Sequence, residues 1–164
     1  MLLALVVTLA SCKQEKIGYV DSVKIMEDYQ EQKESAAKFK IKTDALTKKR
    51  DSISQAFQME MQAFQTKAQK MNQAKAQEEY GIIQQRGQFM GQQLQQEDQA
   101  LTALQQTERD SIISTVKKEI KSYGKAQGFS YIFGGGDGGA VLYGTEGNDI
   151  TDAVLKILND KYKK

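Results

Sequence analysis

Large apolar residues recur along the middle of this chain in steps of seven and four. Phe39, Leu46, Ile53, Phe57, Phe64 and Met71 are spaced by 7, 7, 4, 7 and 7, and Ile83, Met90, Leu94 and Leu101 by 7, 4 and 7. Such spacing holds one narrow stripe on one side of a helix, as in a coiled coil with stutters that locally unwind the supercoil. From Lys24 to about Gln127 there is no Pro, and the only glycines are Gly81, Gly87, Gly91 and Gly124. Little here breaks a helix. The stripe can run along a single rod or fold back on itself. Phe39 with Ile112, Phe57 with Leu94, and Met61 with Met90 share a midpoint between residues 75 and 76, and Leu46 with Leu104 share one at 75. The midpoint lies by Asn72–Ala76, which has no large apolar residue. The pattern therefore favours a long antiparallel coiled-coil hairpin over residues 24–127, with its tip near 72–80. Arms of about 50 residues would reach ~75 Å.

The pattern changes at both ends. Ile17–Val20 is a short β-type run, and Asp21-Ser22 can cap the helix that follows. After Gly124 and Gly128, Ser130–Phe133 and Ala140–Tyr143 read as two strands around a flexible glycine turn, Gly134–Gly139. Asn148–Asp152 starts a last helix with Ala153, Val154, Ile157 and Leu158 on its apolar face. The expected fold is mainly α with a small three-stranded β body made from residues 12–23 and 128–164. Residues 13–23 and 128–164 number only 48, a small body to carry such arms alone, and its strand edges need cover. Self-association would supply both core and cover. The expected assembly residues are Ile17, Tyr19, Val20, Ile132, Phe133, Val141 and Leu142.

Residues 1–11 fit a signal peptide, and their continuous apolar run, Leu2–Val7, is too short to span a bilayer. Leu9-Ala10-Ser11-Cys12 resembles the lipobox of bacterial lipoproteins, with Cys12 as the lipid attachment residue. The alternative is an ordinary signal cleaved near Ala10 or Ser11, with an incidental Cys. No Lys or Arg precedes the run, although signals normally begin basic. Either route places the protein outside the cytoplasm.

Composition removes several chemistries. The 164 residues include no His, no Pro, no Trp and one Cys. No His-dependent nucleophile system, Cys/His zinc site or intramolecular disulfide can be built. No enzyme activity, metal or cofactor is expected. A net charge of +2 gives no nucleic-acid signal. Gly134, Gly136 and Gly139 spell G-x-G-x-x-G, but a strand follows where a nucleotide fingerprint needs a helix, so no nucleotide is expected. Asp149 and Asp152 stand at a helix start, where carboxylates cap, rather than as a metal or acid/base pair. From Lys38 to Arg86 there are ten basic and five acidic residues, either a solvated face or one that attracts acidic clients or anionic head groups. Seventeen of the 21 Gln lie between Gln55 and Gln106. Phe57, Met59, Met61, Phe64, Met71, Phe89 and Met90 stand out in that tract. They are either seam residues or an adaptable binding surface, and Met59 and Phe89 fall off the seam.

A signal, a strand at Lys16-Ile17-Gly18-Tyr19-Val20-Asp21, a helical hairpin, then Ala140-Val141-Leu142-Tyr143 and Asp149-Ile150-Thr151-Asp152-Ala153-Val154-Leu155 resemble the Skp/OmpH family of periplasmic chaperones. The resemblance implies a jellyfish-like homotrimer, in which a β body from three chains holds three hairpin tentacles around a cavity. It implies an ATP-independent holdase for unfolded outer-membrane β-barrel proteins, in the periplasm of a Gram-negative bacterium. The seven bulky arm residues would then be the client-binding set. Cys12 would make this a membrane-tethered, lipoprotein-type member, unlike the soluble best-known ones. The competing expectation is a structural coiled-coil envelope lipoprotein, a spacer or scaffold without chaperone activity, built as one rod of ~150 Å.

Overall fold

In the computed structural model, which describes residues 15–137 and 139–163, the chain resolves into two compact units. One, the body, contains residues up to Gln30 and from Ser114 onward; the other, the arm, is Glu31–Ile113. The signal peptide, the lipobox and Cys12 lie outside the described residues.

The body begins with β1 (Ile17–Asp21), whose last residue also starts α1 (Ser22–Asp28). The Asp21 carboxylate accepts from the backbone N–H groups of Val23 and Lys24 at 2.9 and 3.0 Å, satisfying two donors left open by the first turn. Two long helices follow, α2 (Gln30–Ala68) and α3 (Gln73–Gln127). The end of α3 is a Schellman stop. Phe129 N–H donates to the Gly124 carbonyl at 2.9 Å and Gly128 N–H to the Lys125 carbonyl at 3.4 Å, with Gly128 at φ +72°. The chain then enters β2 (Tyr131–Gly135), which pairs with β1 in parallel, Ile17 opposite Tyr131 and Asp21 opposite Gly135. After a 3₁₀ turn at Glu146–Asn148, α4 (Thr151–Tyr162) closes the chain.

The body core is Val20, Ile25, Tyr29, Val116, Ile150, Val154 and Leu158, each buried. One side chain ties its pieces together. Thr151, itself buried, accepts from Asp21 N–H at 2.8 Å through its hydroxyl oxygen and donates that hydroxyl to the Asp149 carboxylate.

Two expectations for the body change. The sheet of the described residues has two strands rather than three, and they are parallel. Ala140–Tyr143 does not form a closing hairpin strand; it touches the sheet at one bridge, Val141 to Gly135. Beyond β2, Gly136 stands at φ +86° and accepts from Gly139 N–H at 2.8 Å. The hairpin's continuation then leaves the sheet, and Leu142 and Tyr143 are 98% and 86% exposed. The helical stretch is also interrupted near its start. Tyr29 is extended (φ −68°, ψ 122°), and Asn159 of α4 accepts from Gln30 N–H at 2.8 Å, satisfying a donor at the start of α2.

The arm is an antiparallel pair. α2 ends at Ala68, α3 begins at Gln73, and Asn72 caps the new helix by accepting from Lys75 N–H at 2.9 Å. Ion pairs between the helices set the register: Lys38–Glu108, Lys49–Glu97 at 2.6 Å, Glu60–Arg86 at 2.6 Å and Lys67–Glu79 at 2.9 Å, all with their midpoint at residue 73. The apolar pairs expected from sequence have midpoints two to three residues later. Leu46 shares a groove with Leu101 rather than pairing with Leu104, which is 47% exposed. Sliding one helix by four or five residues is about one turn and leaves the same stripe facing inward. The stripe alone therefore cannot set register; the charges discriminate.

Candidate functional site

The arm's seam is thin because most positions between 55 and 106 are Gln, Ala or Lys, so each turn offers few large side chains to bury. The residues singled out from sequence divide accordingly. Phe57, Met61, Phe64, Met71 and Met90 are half-buried. Met59 and Phe89 are 66% and 67% exposed, and the register sets them at nearly the same level on the two helices. Sequence reading missed Tyr80 and Ile82, also exposed. Ile82 stands seven residues before Phe89, on the same face of α3, a spacing that could have found it. Tyr80 stacks on Phe64 with ring centroids 5.9 Å apart.

Phe57 and Met90 meet in a groove of about 470 Å³ within the arm, lined also by Ile53, Leu94, Gly87 and Gly91. A Cβ on Gly87 would come within 2.9 Å of the edge of the Phe57 ring, which would have to shift. A Cβ at Gly91 would meet nothing within 4 Å.

Charge on the arm is largely internal. Of the ten basic residues from Lys38 to Arg86, Lys38, Lys40, Lys49, Arg50, Lys67 and Arg86 are in ion pairs, five of them with the facing helix. The basic surplus of α2 is met by the acidic residues of α3. The Lys38 ammonium, with the Ser35 hydroxyl, holds the Glu108 carboxyl below the usual carboxylate range.

The expected assembly residues lie in the body. Ile17 and Phe133 are 43% and 44% exposed, Leu142 is 98% exposed, and Tyr19, Ile132 and Val141 are half-buried. Val20 is 3% exposed and belongs to the core of its own chain. Asp149 accepts from Thr151 N–H at 2.8 Å, and Asp152 pairs with Lys24 at 2.7 Å, which raises the Lys24 ammonium above its ordinary value. Among the described residues no group of three His, Cys, Asp or Glu could hold a metal ion, and no helix is long and apolar enough to cross a membrane.

The sequence pattern of the family described as outer membrane protein (OmpH-like) matches residues 16–158. The chain belongs to the OmpH-like family. That match begins at β1 and ends at the buried Leu158 of α4, so it takes in both units. Among solved structures, a candidate outer membrane chaperone (OmpH-like) from Caulobacter crescentus is similar to it, with a TM-score of 0.81 and 18% sequence identity over 90% of this chain and 85% of that one. At that identity the likeness establishes the OmpH-like fold. No protein of the curated set matches the chain significantly.

Proposed function

We propose that this protein is an ATP-independent periplasmic holdase that keeps unfolded outer-membrane β-barrel proteins from aggregating. The observation that carries the reading is the exposure of the arm. Phe57, Met59, Met61, Phe64, Met71, Phe89 and Met90 all remain at least half-exposed or half-buried on long helices, and none enters a closed core. A holdase must bind many sequences weakly, which suits small, separated apolar patches rich in adaptable Met. Unfolded barrel strands expose alternating apolar residues and unpaired edges, and covering them blocks edge-to-edge association. Membership of the OmpH-like family supports the same reading. The chain's fold-back between Ala68 and Gln73 disfavours the rival spacer, which needs one continuous rod.

Self-association through the body completes the proposal. A two-stranded sheet is marginal alone, and Leu142, Tyr143, Phe133 and Ile17 leave apolar surface beside it. Three copies are the number the family resemblance implies, and a lipid on Cys12 would tether them to a membrane. Light scattering should give the mass of a trimer for the mature chain and a smaller mass for Val141→Asp. Cys12→Ala should abolish labelling by a fatty-acid precursor.

The deciding experiment dilutes a urea-unfolded outer-membrane protein into buffer with the mature chain at near-stoichiometric amounts and no ATP. Suppressed turbidity is expected. Unchanged turbidity with several such clients would sink the reading.

A further inference from the structure

The arm groove has features that a weak, spread-out binding surface does not require. The half-buried seam opens to the surface in a groove around Phe57 and Met90. Gly87 and Gly91 are among its lining residues. Gly87 is explained by the Phe57 ring that presses on it, but nothing lies within 4 Å of a Cβ at Gly91. An interior glycine weakens a helix relative to alanine, and no packing contact demands this one. It lines the groove without adding a side chain there. The walls are apolar, and Gln84, Gln88 and Ser54 also line the groove. Arg50, the one charged lining residue, is already turned toward Asp98 at 3.4 Å. A glutamine amide offers an acceptor and two donors, the same groups as a peptide main chain. An unfolded segment carries unpaired main-chain groups at every residue, whatever its sequence.

We propose that this groove seats one large apolar side chain of an extended polypeptide, while Gln84 and Gln88 hydrogen-bond the main chain on either side of it. The proposal rests on the holdase reading and adds a discrete seat to it. It gives Gln84 and Gln88, two of the 17 Gln between Gln55 and Gln106, a role: sequence-independent recognition of main-chain amides. A lipid tail would fill the apolar floor but have no use for the amides.

The test titrates a fluorescein-labelled decapeptide of alternating Phe and Thr with the mature chain, reading anisotropy. A second peptide carries N-methyl groups at alternate residues, removing donors while keeping every side chain. The parent should bind the first peptide at least fivefold more tightly than the second. Gly91→Leu, which grows into the groove, should weaken the first peptide at least tenfold while raising the thermal midpoint. Gly81→Ala, outside the groove and meeting nothing within 4 Å, should raise the midpoint and keep the affinity. If circular dichroism finds the leucine variant poorly folded, Ser54→Leu fills the groove from α2 instead. Equal affinity for the two peptides, unchanged binding after the groove is filled, equal loss in Gly81→Ala, or stronger displacement by dodecanoate than by unlabelled peptide would each overturn the proposal. If filling the groove leaves both peptide binding and turbidity suppression intact, the seat is refuted and the holdase stands. If the parent itself fails to suppress turbidity, the holdase is what fails.

Discussion

The body buries Val20, Ile25, Tyr29, Val154 and Leu158 to 3% exposure or less, whereas the large side chains of the arm between Ile53 and Leu94 are half-buried or exposed apart from Ile83. The body also satisfies its turns with side chains drawn from distant sequence: Thr151 for Asp21, and Asn159 for Gln30. Apart from the buried Phe39 and Ile112, the arm relies on a thin seam and on ion pairs whose partners are mostly a third or more exposed. Exposed pairs contribute ~0.2–1 kcal/mol each. One region is built to hold a single arrangement and the other to stay adaptable. That division is what a protein needs if one part assembles and the other touches many partners.

The largest effect that can break this comparison is a cavity. Leu158→Ala, at 1% exposure, should cost about 2–5 kcal/mol, while Leu94→Ala on the half-buried seam should cost about 1 kcal/mol or less. Urea midpoints followed by circular dichroism compare the two, and equal costs would remove the distinction. Next comes Thr151→Val, which leaves Asp21 N–H without its acceptor in the body and should cost about 1–3 kcal/mol in the same titration. Smaller changes test the arm alone. Gly81→Ala meets nothing within 4 Å and should stabilise α3 by up to ~1 kcal/mol, while Gly87→Ala, 2.9 Å from the Phe57 ring, should shift the thermal midpoint the other way.

The smallest effect is that of pH. The Glu108 carboxyl titrates lower in the folded arm than in the unfolded chain because Lys38 donates to it. Its contribution is therefore present at neutral pH and is lost as pH falls through the folded-state value. The difference in thermal midpoint between the parent and Glu108→Gln should shrink on acidification below the ordinary glutamate range. A difference that grows toward acid would contradict the sign.

How legible these regions were in the sequence follows the same division. The helices of the arm could be read because period, composition and the lack of Pro agree over a hundred residues. Their register could not, since a one-turn slip preserves the stripe, and only the charge pairs Lys49–Glu97 and Lys67–Glu79 resolve it. The exposure of Met59 and Phe89 was foreshadowed by their positions off the seam. In the body, β1 and α4 announce themselves locally. The break at Tyr29 does not, because Asn159, which satisfies the next backbone donor, lies about 130 residues away. Ala140–Tyr143 has the composition of a strand, but pairing depends on which edge lies within reach, and here Val141 alone makes a bridge.

The division of labour between arm and body is tested most directly by amide hydrogen exchange of the mature chain, alone and with an unfolded outer-membrane protein. Body amides in β1, β2 and α4 should exchange slowly and change little when the client is added. Amides between Ile53 and Leu94 should exchange faster and slow on addition, most around Phe57 and Met90. Client-induced protection confined to the body, or none in the arm, would contradict the arm's role as the holding surface.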